Sequence, residues 1–243
     1  MEKNQVKRLV REKYAEIANQ TNSCGDSTEV TKISQNIGYS AEDIKSVPAG
    51  PILGQGCGNP VALSSLKEGE IELDLGSRGG FDVFLAASKV GSSGRVIGVD
   101  KTPEMIERAR TNAKANNITN VEFRMGEIEN LPIAANSVDV VISNCVIFLS
   151  PDKLKVFHEI VRVLKPGGRV NISDLVLDDR TPPSLKNTQK TVDRRTFTEY
   201  EGIIKASGLK NVKFTVNYPY ETENKKILRD YLISVNVQGI KEK

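Results

Sequence analysis

The sequence predicts an α/β fold: a doubly wound, mostly parallel sheet, preceded by an N-terminal helical extension and completed by a small C-terminal α+β addition. Three observations predict it. Short apolar runs alternate with amphipathic stretches between residues 71 and 177. Glycine turns and acids stand where apolar runs hand over to helical ones, notably Gly76–Gly80 and Asp100. The chain of 243 residues, 38% hydrophobic and 27% charged, has the size and composition of one soluble α/β domain with additions.

Taken in order, residues 3–19 place Val6, Leu9, Val10, Tyr14 and Ile17 close to the spacing of an amphipathic helix. Residues 20–30 are polar and loop-like. Residues 31–46 suit a short helix or two, and Pro48–Pro51 with Gly54–Pro60 form a glycine–proline loop. We place this extension at 1–69. The core, 70–177, opens with a strand at Ile71–Leu75, the tight turn Gly76–Gly80 and a helix from Phe81 to about Lys89. A second strand, Arg95–Val99, ends on Asp100. Thr102 stands where it can cap a helix starting at Pro103, a favoured pairing, and Asn116-Asn117 ends that helix after Ala115. Val121–Met125 and Val138–Ser143 are the third and fourth strands. Leu154, Phe157, Ile160, Val161 and Leu164 share one helical face, Lys165-Pro166-Gly167-Gly168 stops that helix, and Arg169–Leu177 is the fifth strand. In the last region, 178–243, Phe197–Ala206 reads as a helix stopped by Gly208, with strands at Val212–Val216 and Tyr231–Val237. Alternation of this kind implies a parallel sheet covered by helices on both faces.

The net charge of +3 and a pI near 8.6 are too mild to argue for nucleic acid. The basic segment Lys3–Lys13, with Glu12 its one acid, reads as a solvated helix face. No apolar run approaches the about 18–20 residues that a membrane span needs, and the N-terminus lacks the apolar core of a secretory signal. Three cysteines, Cys24, Cys57 and Cys145, are odd in number and widely spaced, which argues for a reducing cytoplasm over a disulfide framework. His158, the one histidine, has no indicated acidic or nucleophilic partner and reads as a surface or capping residue.

Ligands of open parallel sheets sit beyond the carboxyl ends of the strands. Four polar groups fall there: the Gly76–Gly80 turn, Asp100, Gly126-Glu127 and Asn144-Cys145. The turn lets backbone approach a ligand, and an acid ending the second strand can accept hydrogen bonds from ribose hydroxyls. The turn is not Gly-x-Gly-x-x-Gly and no phosphate-loop lysine is present, while Asp74 suits an ammonium. A ligand with an amine, a ribose and an adenine fits best, namely S-adenosyl-L-methionine. The pattern acid-x-Gly-x-x-x-Gly, followed by an acid after the next strand, resembles the first motif and its sequel in Rossmann-like methyltransferases, whose sheet is seven-stranded. That resemblance implies cofactor contacts at Asp74, Gly76, Ser77, Gly80, Asp100, Lys101, Gly126, Glu127 and Asn144, with Asp100 on the ribose and Glu127 near the adenine. Arg78 departs from the pattern, which has glycine there. If the position needs a positive φ, arginine adds roughly 1 kcal/mol of strain, and its side chain crowds the cofactor.

Cys57 lies between two glycines and Cys145 ends the fourth strand. Thiolates are soft ligands and strong nucleophiles, so a pair near a sulfonium can hold a thiophilic element for methylation; the alternative is that each is a small buried apolar residue. The segments Gly56-Cys57-Gly58-Asn59-Pro60-Val61-Ala62, Asp74-Leu75-Gly76-Ser77, Val99-Asp100-Lys101-Thr102-Pro103-Glu104-Met105, Gly126-Glu127-Ile128-Glu129, Ile142-Ser143-Asn144-Cys145-Val146 and Leu149-Ser150-Pro151-Asp152-Lys153 resemble the arsenite methyltransferases. The resemblance covers roughly residues 5–177 and resumes near 198–215. It implies that Cys57 and Cys145 are catalytic thiolates that hold arsenic(III), and that the partners are an arsenical and a small thiol or thioredoxin-type reductant. It also implies a cytoplasmic role in arsenic detoxification. Cys24 sits near a position where the family often has a cysteine pair, but its neighbour is Ser23. The family's further cysteine after the fifth strand has no counterpart in 178–243, and Phe148 stands where Asn is common. A two-thiolate site, with a small thiol or water as third ligand, favours a methylated arsenical. Two other readings remain open: a methyltransferase for another small molecule, and a non-catalytic protein that binds arsenic or the cofactor. Tyr14 is placed to reach the cofactor if the first helix closes over it.

Overall fold

The computed structural model describes residues 3–20, 32, 34–48, 56–186, 194–217 and 231–243. Seven strands form one sheet: β1 (Ile71–Leu75), β2 (Arg95–Asp100), β3 (Val121–Met125), β4 (Val138–Asn144), β5 (Leu164–Leu177), β6 (Lys210–Asn217) and β7 (Leu232–Ile240). Their spatial order is β3-β2-β1-β4-β5-β7-β6. The first five are parallel, and β7 runs antiparallel between β5 and β6. Leu75 is level with Val99 on one side and Ser143 on the other, so the ends of β1, β2 and β4 open onto one edge of the sheet.

Helices cover both faces because the strands are apolar on both. Leu73 and Leu75 pack with Val141, Ile172, Phe157 and Ile160, the last two from α6 (Lys153–Val163), and with Tyr200 of α8 (Phe197–Ala206). Val96, Val140 and Ile142 face Val83 and Phe84 of α4 (Phe81–Val90) and Ile106 and Ala109 of α5 (Pro103–Ala115). Burial of each such side chain contributes about 1.5–3 kcal/mol. Further helices are α1 (Lys3–Gln20), which packs on α5, α2 (Ala41–Ser46), α3 (Pro60–Ser64) and the short α7 (Pro183–Lys186). No helix among the described residues is long and apolar enough to cross a membrane.

Most predicted elements fall within a residue or two of their expected bounds, and three expectations are corrected. The hydroxyl of Thr102 makes no capping bond. Instead Oδ1 of Asp100 accepts from the Thr102 N–H at 2.9 Å, and the Thr102 carbonyl receives the first helical N–H groups. The buried face of α6 runs through Lys153, Val156, Phe157, Ile160 and Val163, leaving Leu154 37% exposed. A buried lysine hid that phase: Lys153 Nζ turns back to donate to the Ser150 carbonyl at 2.8 Å. Lys165–Gly168 is not a turn ahead of the fifth strand. The chain leaves α6 at Leu164 already paired with Val138, and the Lys165–Gly168 segment is an irregularity before pairing resumes at Val140 and Arg169. The strands at the C-terminal end are longer than their apolar cores, reaching Asn217 and Ile240. His158 is exposed, as expected.

Candidate cofactor cleft and thiol pair

The strand ends enclose a cleft with about 530 Å³ of empty space, part of it open to solvent. Its walls come in strand order: Gly126, Ile128 and Glu129 after β3, Asp100 to Thr102 at β2, Gly76 and Arg78 after β1, and Val146 to Pro151 after β4. Val10 and Tyr14 of α1 close the top.

The turn after β1 is built for close approach. Gly76 has φ +75°, and a Cβ there would come 2.4 Å from a methyl of Val146. Gly80 has φ +95° and lies against Phe84. Arg78 adopts φ +47°, so the condition under which arginine is strained at this position is met. Its N–H donates to Oδ2 of Asp100 at 3.0 Å, so the Asp100 carboxylate ties this turn to the start of α5. The guanidinium enters the cleft. Nη2 lies 3.4 Å from the carbonyl oxygen of Asn144 and 3.3 Å from that of Cys145, and the group sits 5.6 Å from the centroid of the Tyr14 ring.

Of the expected cofactor residues, Gly76, Asp100, Lys101 and Gly126 line the cleft. Ser77 is buried against β2, where a Cβ on Gly98 would meet its side chain at 2.7 Å, and its hydroxyl has no hydrogen-bond partner. Glu127 turns outward to Lys7 at 2.6 Å and lines a neighbouring groove, and Glu129 takes the place in the cleft. Asp74 is buried on β1 beside Asp82, and burial followed by the Asp82 charge raises its carboxyl well above the ordinary range.

Asn144 does something the sequence did not indicate. Its Oδ1 accepts the Cys57 N–H at 3.0 Å, while Nδ2 donates to the Gly58 carbonyl at 2.9 Å and to Tyr39 Oη at 2.8 Å. Tyr39 in turn donates to Asp82. The Cys57 loop is thereby clamped onto the end of β4. The flanking glycines are needed for this, because a Cβ on Gly56 would meet Asn144 Nδ2 at 2.8 Å and one on Gly58 would meet Ser173 Oγ at 2.5 Å. Asn59 caps α3 by accepting the Ala62 N–H at 2.9 Å, with Pro60 in the first helical position. On the far side Ser234 Oγ donates to the Cys57 carbonyl at 2.8 Å.

Cys57 and Cys145 are both free and buried. Cys145 has φ +57°, and its N–H donates to the Ser173 carbonyl at 2.8 Å. Cys57 Sγ lies 3.9 Å from Asn144 Oδ1, and burial, followed by the neighbouring Cys145 thiol, pushes the Cys57 thiol well up. That shift favours the protonated thiol. Among the described residues no three His, Cys, Asp or Glu side chains converge as a metal site. Cys24 lies outside the described residues. Tyr39 and Asp82 were missed because nothing in their local sequence marks them, and Glu129, though within the Gly126–Glu129 segment, was passed over for Glu127.

Sheet order, turn and cleft together define a class I, S-adenosylmethionine-dependent methyltransferase. A family profile described as a methyltransferase domain matches residues 66–230. An arsenite methyltransferase of Halobacterium salinarum is 40% identical over 265 aligned positions, covering 98% of this chain and 67% of its own length. One of Aquipseudomonas alcaligenes is 40% identical over 60% of this chain, which spans only 47% of that relative. The solved structure of an arsenic(III) S-adenosylmethionine methyltransferase from Chlamydomonas reinhardtii superposes with a TM-score of 0.66 at 29% identity, covering 88% of this chain and 73% of that one. The chain belongs to the arsenite methyltransferase family.

Proposed function

We propose that this protein transfers a methyl group to trivalent arsenic held by Cys57 and Cys145, with a methylated arsenical as its better substrate. The observation that carries the reading is the pair of buried, neighbouring free thiols at the end of β4, beside the cleft. The 40% identity to a named arsenite methyltransferase supports it.

The chain's residues divide the work. Asp100 suits the ribose: a carboxylate has about four acceptor sites, and two of them are used by Arg78 and Thr102. Gly76 and Gly126 present backbone, Asp74 and Asp82 place carboxyl groups behind the turn, and Tyr14 and Val10 exclude water. When bound, S-adenosylmethionine supplies an electrophilic methyl group to the arsenic lone pair. Loading of arsenic needs no separate base. The proton that Cys57 retains leaves with an arsenic-bound hydroxide as water while the As–S bond forms. A monomethylated arsenical has two exchangeable positions and fits two thiolates. Positioning and desolvation then carry the reaction. On this reading residues 1–69 form the cap, 70–177 the cofactor core and 178–243 the substrate-side completion. A cytoplasmic location, a role in arsenic detoxification and a small thiol or thioredoxin-type reductant follow from the same chemistry.

Incubation with S-adenosylmethionine, a thiol and arsenite or methylarsenite, followed by speciation, tests the proposal. Cys57→Ser and Cys145→Ser are each expected to lower arsenic methylation by about 100-fold or more while leaving cofactor binding intact. Methylation that persists without both cysteines overturns it and points to a carbon, oxygen or nitrogen acceptor.

A further inference from the structure

We propose that Arg78 binds the carboxylate of the cofactor's amino-acid tail and makes the site select ligands by that carboxylate. This rests on the methyltransferase reading above. The order of the walls fixes where the tail falls. Gly126 and Glu129 stand at β3 and the ribose acceptor Asp100 at β2, so the tail reaches the ends of β1 and β4, next to the cysteines. There the cleft is lined by Gly76, Arg78 and Val146, of which Arg78 alone is charged. Behind them lie the acids Asp74 and Asp82 and the carbonyls of Asn144 and Cys145. The two carbonyl oxygens attract an ammonium and repel a carboxylate. A wall without Arg78 thus answers only one of the two charges on an α-amino acid.

Arg78 reverses that balance. Its Nη2 already lies on the two carbonyls that an ammonium would use. The Tyr14 ring and the backbone bond to Asp100 hold the side chain at the cleft wall. A guanidinium held at the wall offers a planar fork of donors matched to a carboxylate, whereas a lysine would offer a point charge. The left-handed backbone at residue 78 aims the side chain into the cleft rather than out of the turn.

Calorimetric titration distinguishes the possibilities with three ligands: S-adenosylhomocysteine, its decarboxylated counterpart, and 5′-methylthioadenosine, which lacks the tail. The parent protein is expected to bind the decarboxylated compound about 10–100-fold more weakly than S-adenosylhomocysteine. Arg78→Gly, which suits the positive φ, should bind the two within about threefold, and Arg78→Lys should fall between. Equal affinities in the parent, or discrimination unchanged in Arg78→Gly, overturn the role given to Arg78. If 5′-methylthioadenosine binds while the carboxylate makes no difference, this inference alone fails. If none of the three binds, the methyltransferase reading fails with it.

Discussion

Asn144 joins the Cys57 N–H, the Gly58 carbonyl and the Tyr39 hydroxyl in one buried knot. Removing its amide leaves those groups without the partner they were buried for, at about 1–3 kcal/mol. Asn144→Ala is therefore expected to lower the unfolding free energy in urea by that amount and to speed the alkylation of Cys57 by iodoacetamide. Unchanged alkylation would show that the loop is held by Ser234 and α3 without it. The residue was legible as a strand-end polar group, but its partner was not. Asn144 stands 87 residues after Cys57 and 105 after Tyr39, and no local pattern encodes contacts at such separations. Arg78 is the converse case: its strained turn could be read from glycine neighbours, yet the carbonyls it meets belong to β4.

Among the elements, α3 is too short to be stable alone and depends on its cap. Asn59 holds it through Ala62 and also donates to the Gly38 carbonyl at 3.2 Å, tying the segment before α2 to the cysteine loop. Asn59→Ala should cost about 1–2 kcal/mol, measured by thermal or urea unfolding, whereas Asn59→Asp should keep the cap and lose only the Gly38 bond. Strands and long helices were readable because their periodicity is local. The phase of α6 was not, because a buried lysine replaced an apolar residue on its inner face. The capping of α5 was misassigned for a related reason. Asp100, reaching two residues forward, competes for the same backbone groups as Thr102.

At the scale of the whole molecule, four acids drawn from two strands and a helix share one direction of shift. Burial is the first cause for Glu72, Asp74, Asp82 and Asp174, and each is raised. Asp174, bonded to Tyr200 at 2.8 Å, is pushed up from 3.8 to about 6. A raised acid binds its proton more tightly when folded, so its contribution to stability is intact below the unfolded value and declines as pH rises through the folded one. The penalty grows between pH 4 and 6 and levels off above that at about 3 kcal/mol. Asp174→Asn should match the parent's stability below pH 4 and exceed it by up to that amount at pH 8, in urea titrations run at both pH values. A constant difference at both would show that Asp174 does not titrate between them. This shift is set by tertiary burial, opposed by neighbours distant in sequence, Tyr200 and Lys153 among them, which is why composition gave no sign of it.

The bond from Ser234 to Cys57 spans 177 positions of sequence, and its donor lies on the antiparallel strand inserted beside β5. During synthesis the first thiol of the pair leaves the ribosome long before that strand exists. Until β7 is made and threaded between its neighbours, Cys57 is an ordinary accessible thiol on an unfinished chain. The buried surroundings of the thiol pair are thus completed only when the last strand is in place, and a thiol-reactive species arriving earlier meets a lone cysteine.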